Sequence, residues 1–164
     1  MLITAKSLRE LKFGELMSVY EEGNRENGAE LWPDLPENQR IIRAENDFYQ
    51  YLREIFFAQP GAVYCVWETG GKYVSALRLE PYRDGLLLEA LETAPEQRRK
   101  GYAEKLIRDV LEGCGACKIY SHVNKRNVPS LGIHEKCGFR RILEYAVYVD
   151  GSVNHRCCTL IYEK

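Results

Sequence analysis

The sequence predicts an α/β (α+β) chain with a single mixed, mostly antiparallel sheet flanked by helices. Three observations lead there. Apolar residues recur at helical spacing in some segments and alternate in others. The two kinds follow one another as β-α-α-β-β-β-α-β-α-β-β, with tight turns joining several strands. The chain has 164 residues, 45% of them hydrophobic, enough for one core and one domain over 1–164.

After an N-terminal strand, Ser7 with Glu10 reads as a capping box that opens a first helix through Leu11, Leu16 and Tyr20. The polar stretch "EEGNRENGAELWPDLPENQ", punctuated by Gly and Pro, reads as a long connection. Ile41, Phe48, Leu52, Ile55 and Phe56 mark a second helix that "QPG" stops. "AVYCVWE", the turn "TGGK" and "YVSALRLE" predict a hairpin, and "GLLLEALET" a strand after the turn at Asp84–Gly85.

Ala103, Leu106, Ile107, Val110 and Leu111 form one face of a helix ended by Gly113, with Glu104–Arg108 and Lys105–Asp109 paired on its outer side. "CKIYSHV" is a strand. "PSLGIHEKCG" is a short helix with Pro129 in its first turn and Gly138 beyond its end. "RRILEYAVYV", the turn "DGS" and "RCCTLIYE" close the chain as a last hairpin, an edge suited to a homodimer.

Composition narrows the function. Lys+Arg 23 against Asp+Glu 24 gives a formal charge of −1, which argues against a dedicated nucleic-acid binder. No apolar run is long enough to span a bilayer. "MLITAKSLRE" lacks the apolar core and cleavage site of a signal peptide, so the six cysteines are expected as reduced thiols in a cytoplasmic setting. Cys114 and Cys117 form a C-x-x-C, but a zinc site needs two further ligands. The adjacent Cys157 and Cys158 point to opposite faces of a strand, so no metal is expected.

The chemistry is concentrated in "ETAPEQRRKGYAEKL". A strand ends there, a cationic turn follows, and a helix begins at about Gly101. A helix N-terminus leaves N–H groups unpaired at the positive end of the dipole, which suits a phosphate or pyrophosphate. Gly101 and the small Ala103 let a ligand approach the backbone closely. No G-x-x-x-x-G-K-[S/T] is present, and "GCGAC" follows a helix rather than a strand, which excludes the P-loop and dinucleotide readings.

Arg98, Gly101 and Ala103, after a strand and Pro95, resemble the [Q/R]-x-x-G-x-[G/A] element of the GNAT N-acetyltransferase superfamily. Its second element, roughly N-x-x-A-x-x-L-Y-x-x-x-G-F, is matched at Asn127, Ile133, Gly138 and Phe139. The order of elements agrees from end to end. Three positions depart from the pattern: Ala103 replaces the commoner glycine, Ser130 the alanine, and His134 a tyrosine that acts as general acid in the family.

The resemblance implies an acetyl-CoA-dependent N-acyltransferase, without a metal, acting on an amine acceptor. Backbone of Leu91, Glu92 and Thr93 would pair with the pantetheine arm like an added strand. Backbone amides of Arg99, Lys100, Gly101, Tyr102, Ala103 and Glu104 would hold the pyrophosphate, with Arg98 beside them, and a backbone N–H at the strand's end would polarise the thioester. Asn127 would contact the cofactor arm or cap its helix.

An alkylammonium must lose a proton before it attacks, and Glu89, in the apolar "LLLEALE", is expected to accept it, its pKa raised by burial, or else to sit on a solvent face or in an ion pair. Glu92 would lie on the opposite face of a regular strand. His134 would protonate the departing thiolate or be a helix-surface histidine; His122 is a reserve candidate. Trp32, Asp34, Tyr49 and Tyr51 fall in the region that covers the acceptor in the family. Two other readings are a non-catalytic acyl-CoA sensor of the same fold, and a weak nucleic-acid contact through "QRRKG" and "NKRN".

Overall fold

In the computed structural model, which describes residues 1–115 and 117–164, β1 (Leu2–Ala5) is followed by one 3₁₀ turn (Leu8–Glu10) and three helices. These are α1 (Phe13–Val19), α2 (Glu21–Leu31) and α3 (Glu37–Tyr51), the last prolonged by a π-helical turn over Leu52–Phe56. Then come β2 (Val63–Thr69), β3 (Lys72–Tyr82), β4 (Gly85–Thr93), α4 (Tyr102–Gly113), β5 (Lys118–Asn124) and α5 (Val128–Lys136). The chain closes with β6 (Arg140–Leu143), β7 (Ala146–Val147), β8 (Val153–Asn154) and β9 (Cys157–Glu163).

Seven strands form one sheet in the order β1-β2-β3-β4-β5-β9-β6, and β7 and β8 form a small second sheet. Among the described residues only β4 and β5 pair in parallel, and every other neighbour in the large sheet is antiparallel. The expected mixed, mostly antiparallel sheet is therefore present.

Alternation along β2 builds a core on each face. Cys65 and Trp67 join Val74, Leu77 and Leu88 beneath α4, whose Leu106, Ile107, Val110 and Leu111 are buried. Tyr64 and Val66 point the other way, to Leu16, Val19, Leu52 and Phe56. Each such side chain contributes about 1.5–3 kcal/mol by leaving water, so the sheet is clamped from both sides.

Three expectations are corrected. The stretch taken for a long connection is mostly α2, and only the segment between Leu31 and Glu37 is a loop. This helix shows almost no apolar stripe, its buried residues being Asn24 and Gly28. It is held by close approach to α3: a Cβ on Gly28 would lie 3.0 Å from the Arg40 Cβ and carbonyl oxygen. Arg25 adds ion pairs to Glu21 at 2.9 Å and to Glu37 at 3.1 Å.

The capping box opens a single 3₁₀ turn rather than a helix. Glu10 accepts from Ser7 Oγ at 2.9 Å and from Lys6 N at 3.0 Å, and the next helix starts afresh at Phe13. Finally, the last hairpin is interrupted. Arg140–Leu143 pairs with β9, but Ala146–Val147 leaves the main sheet to pair with β8.

The missed helix yields a paired prediction. Gly23 lies in α2 with open space at its Cβ position. Gly23→Ala should stabilise the protein by about 0.5–1 kcal/mol through helix propensity. Gly28→Ala should destabilise it despite the same propensity gain, because α2 must move off Arg40. Urea midpoints of the two variants against the parent check both signs.

Candidate active site

The site is built from one irregularity. β4 and β5 pair at Leu86↔Ile119, Leu87↔Tyr120 and Leu88↔Ser121, and no pair follows. On its other edge β4 carries a bulge. Ala76 lies opposite Glu92 but Arg78 lies opposite Glu89, so β4 has one residue more than β3 over this span. The extra residue is absorbed at Ala90, whose φ of 52 is left-handed. The Tyr20 hydroxyl donates to the Ala90 carbonyl at 2.6 Å and accepts from the Tyr64 hydroxyl at 2.8 Å, anchoring the bulge to the helical layer.

Beyond Leu88 the strands diverge, and a cleft of about 730 Å³ opens beside β4, the turn before α4 and the first half of α5. Of the residues expected around the cofactor, Leu91, Glu92, Thr93, Arg98, Arg99, Gly101, Tyr102, Ala103, Glu104 and Asn127 line it. Lys100 does not; its ammonium donates to Gln97 Oε1 at 2.9 Å.

At the turn, Arg99 and Gly101 have φ values of 61 and 80. Such a turn directs successive N–H groups into one concavity that suits an anion. No side chain caps α4, whose first intrahelical bond runs from Lys105 N to the Gly101 carbonyl at 3.0 Å. The N–H groups of 102–104 are thus left without intrahelical acceptors. Gly101 is required by its own backbone as well as by any ligand, because L side chains disfavour this φ.

The cation beside the turn is already paired. Arg98 bonds to Glu22 of α2, to Glu92 Oε1 at 3.3 Å and to the Thr93 carbonyl at 3.3 Å. Asn127 caps α5, its Oδ1 accepting from Ser130 N at 3.2 Å, while also facing the cleft.

The bulge changes which carboxylates share a face. Glu89 and Glu92 stand opposite Arg78 and Ala76, which point the same way, so both acids lie on one side of the sheet. Glu92 was expected on the opposite face. Burial pushes its carboxyl above the usual range. Glu89 Oε1 accepts from Arg78 Nε at 2.8 Å, and the guanidinium lies over the Tyr51 ring at 4.8 Å. Glu80, further along the same face of β3, is buried, and burial followed by the Glu89 charge raises its pKa.

His134 is not where a proton donor to the cleft must stand. It is 1% exposed, with Nδ1 2.8 Å from the Ser130 carbonyl and Nε2 3.0 Å from Ser121 Oγ. A carbonyl requires the proton on Nδ1, so Nε2 accepts from the serine and no N–H faces the cleft. The register with the family motif leads to this residue, but α5 turns it into the core against Phe139.

His122, by contrast, is one residue past the last β4–β5 pair, as Glu89 is, and on the same face. Its Nε2 is enclosed without a partner, between Tyr82 and Tyr148 with ring centroids 5.4 Å away on each side. Of the residues expected over the acceptor, Trp32 and Tyr51 line a second pocket with Arg78, Tyr49 packs against Phe13, and Asp34 is exposed.

The two histidines make stability depend on pH. Burial is the main cause holding both below the ordinary 6.5, helped at His122 by Arg83 and opposed at His134 by the Ser130 hydrogen bond. The unfolded chain therefore binds protons near 6.5 that the folded chain refuses. Unfolding takes up protons in the window below that value, so stability falls as pH drops through it and is level above it. The urea midpoint should decline between about pH 7.5 and 5.5, and His134→Gln should flatten the slope. An unchanged slope in a folded variant would show that His134 titrates as it does in the unfolded chain.

Comparison with known proteins agrees with this geometry. The family model "Acetyltransferase (GNAT) family" matches residues 19–139. The PaiA N-acetyltransferase of Thermoplasma acidophilum, solved with coenzyme A, matches with TM-score 0.60 and 12% identity over 100% of this chain and 99% of that one. The ribosomal-protein-alanine N-acetyltransferase of Brucella melitensis matches with TM-score 0.60 and 15% identity over 100% and 99%. A longer Thermoplasma acidophilum chain is matched over 39% of its length and 63% of this one, with TM-score 0.50 and 21% identity. No curated protein sequence matches significantly. On the extent of the family match, and on a sheet that splays beside an uncapped helix start, the chain belongs to the GNAT acetyltransferase family.

Proposed function

We propose that the chain acts as a single domain that transfers the acetyl group of acetyl-CoA to a primary amine. The observation that carries this reading is the juxtaposition of the splayed β4 edge with the free N–H groups at the start of α4. A thioester cofactor needs both, one for its amide-bearing arm and one for its pyrophosphate. The cleft residues fit that group. Leu91, Glu92 and Thr93 offer strand backbone, and 99–104 offer N–H donors. The six cysteines are unpaired, which accords with a cytoplasmic protein, and no helix among the described residues is long and apolar enough to cross a membrane.

In this reading the acceptor amine approaches from the face that holds Glu89. Glu89 takes a proton from the ammonium, directly or through water, and the freed nitrogen attacks the acyl carbon. Backbone N–H at the bulged end of β4 stabilises the oxyanion. The C–N bond forms as the C–S bond breaks, giving an amide and CoA thiol. With His134 turned into the core, the sulfur's proton comes from the attacking nitrogen or from solvent.

A second reading, an acyl-CoA sensor without turnover, is favoured by that buried histidine and by the Arg78–Glu89 ion pair. Release of free thiol from acetyl-CoA across a panel of amines separates the two.

Gly101→Val should weaken acetyl-CoA binding tenfold or more in calorimetry. The branched side chain intrudes where the pyrophosphate must approach, and a left-handed φ costs a non-glycine residue about 1–2 kcal/mol. Unchanged affinity in a folded variant sinks the placement. Glu89→Gln keeps the acceptor for Arg78 but removes basicity. Turnover should fall by about 10²-fold, with acetyl-CoA affinity retained and the acidic limb of the rate profile altered. A parental pH profile would return Glu89 to a purely structural role.

A further inference from the structure

On the sheet face opposite α4, a second pocket of about 330 Å³ lies between α2 and α3 and ends on Arg78. Its size is at the lower end of small-molecule sites. Trp32, Phe48 and Tyr51 supply aromatic walls, Asn24 and Asn27 amide groups, and Asp47 a carboxylate.

Arg78 is unusual for a side chain only 16% exposed. A guanidinium has five N–H donors. One, on Nε, is used on Glu89, while those on Nη1 and Nη2 find no acceptor among the described residues. The Tyr51 ring stacks on its face, which fixes the plane of the fork without occupying its edge. This half-buried fork keeps an open edge at the pocket, with N–H donors available to a further acceptor. The group that completes it best is a second carboxylate, held by two parallel N–H···O bonds.

We propose that this pocket takes the acceptor, and that the acceptor is an amino acid whose carboxylate binds the outer edge of Arg78 while its ammonium faces Glu89. The inference rests on the acetyl-transfer reading of the neighbouring cleft. Arg78 and Glu89 form a donor beside an acceptor, 2.8 Å apart. An α-amino acid presents the reverse order, an ammonium beside a carboxylate, so the two pairs lie head to tail. The amine is thereby delivered to the residue next to the bulged Ala90. Arg78 with Glu89 and Asp47 leaves a formal charge of about −1, so the site suits a molecule that carries an ammonium better than a polyanion. The aromatic walls select an apolar or aromatic side chain.

The test compares matched ligands on the wild-type protein, so that it needs no variant to fold. L-phenylalanine, L-phenylalaninamide and phenethylamine differ at the carboxylate alone. Binding of each is measured by calorimetry in the presence of CoA, and transfer by thiol release from acetyl-CoA. The acid should bind at least tenfold more tightly than the amide or the amine and be the better acceptor. For the amide, intrinsic reactivity runs the other way, since an α-amide makes the amine less basic than an α-carboxylate does and leaves more of it free; phenethylamine, a simple alkylamine, is more basic than the acid and controls for the opposite case. Arg78→Gln should abolish the preference for the acid by weakening its binding alone. Equal or weaker binding of the acid by the wild-type protein, or no binding of any of the three, overturns the proposal. If the acid binds selectively but no thiol is released with any amine, the recognition site stands and the acetyl-transfer reading fails instead.

Discussion

The rest of the site depends on one left-handed residue, Ala90. A regular β4 would continue to pair with β5 past Leu88, and no cleft would open. A non-glycine residue at positive φ costs about 1–2 kcal/mol. That cost is offset by two hydroxyls: Tyr20, between α1 and α2, donates to the Ala90 carbonyl and is itself bonded by Tyr64 of β2. Both tyrosines are buried in the core that Leu16, Leu52 and Phe56 complete. Packing of α1 and α3 is therefore what holds the sheet open.

The same residue decides the arrangement of acids. By inserting one position, the bulge brings Glu92 to the face of Glu89 and sets Glu92 within reach of Arg98, which in turn reaches Glu22 on α2. The helix whose sequence looks like a loop is thus fastened to the strand end and to the cofactor turn. Arg98 brings little uncompensated charge to the cleft, being shared between two carboxylates. The donors left at the turn are backbone N–H groups, which are fixed in direction by the left-handed Arg99 and Gly101. Exposed Arg99 and Lys100 act at longer range, where salt screens them.

What the sequence made legible follows from where each signal resides. The strand–turn–helix around Gly101 was readable because glycine marks a left-handed backbone and α4 has a full apolar stripe. The bulge was not, since an alanine in an apolar run carries no mark of positive φ, and the face of Glu92 was misjudged with it. α2 was hidden because its contact with α3 is backbone against backbone at Gly28 rather than side chain against side chain. His134 was found by spacing but its direction was not, because α5 is too short to show a periodicity that tells its core side from its cleft side. Nothing in "YVSALRLE" marks Arg78, because its neighbour Tyr51 is brought over it only by the packing of α3.

The two faces of the sheet divide the chemistry. On one, the uncapped start of α4 and the Asn127-capped start of α5 border the cleft. On the other, Arg78, Glu89 and Glu80 lie under α3 and its π turn, in surroundings dry enough that the Glu80 carboxyl resists ionisation. The divergence of β4 from β5 beyond Leu88 and Ser121 is where these environments meet, and Glu89 and His122 stand at that edge, one on each strand. The splay thus joins a face that carries N–H groups without intrahelical acceptors to one that carries a half-buried ion pair.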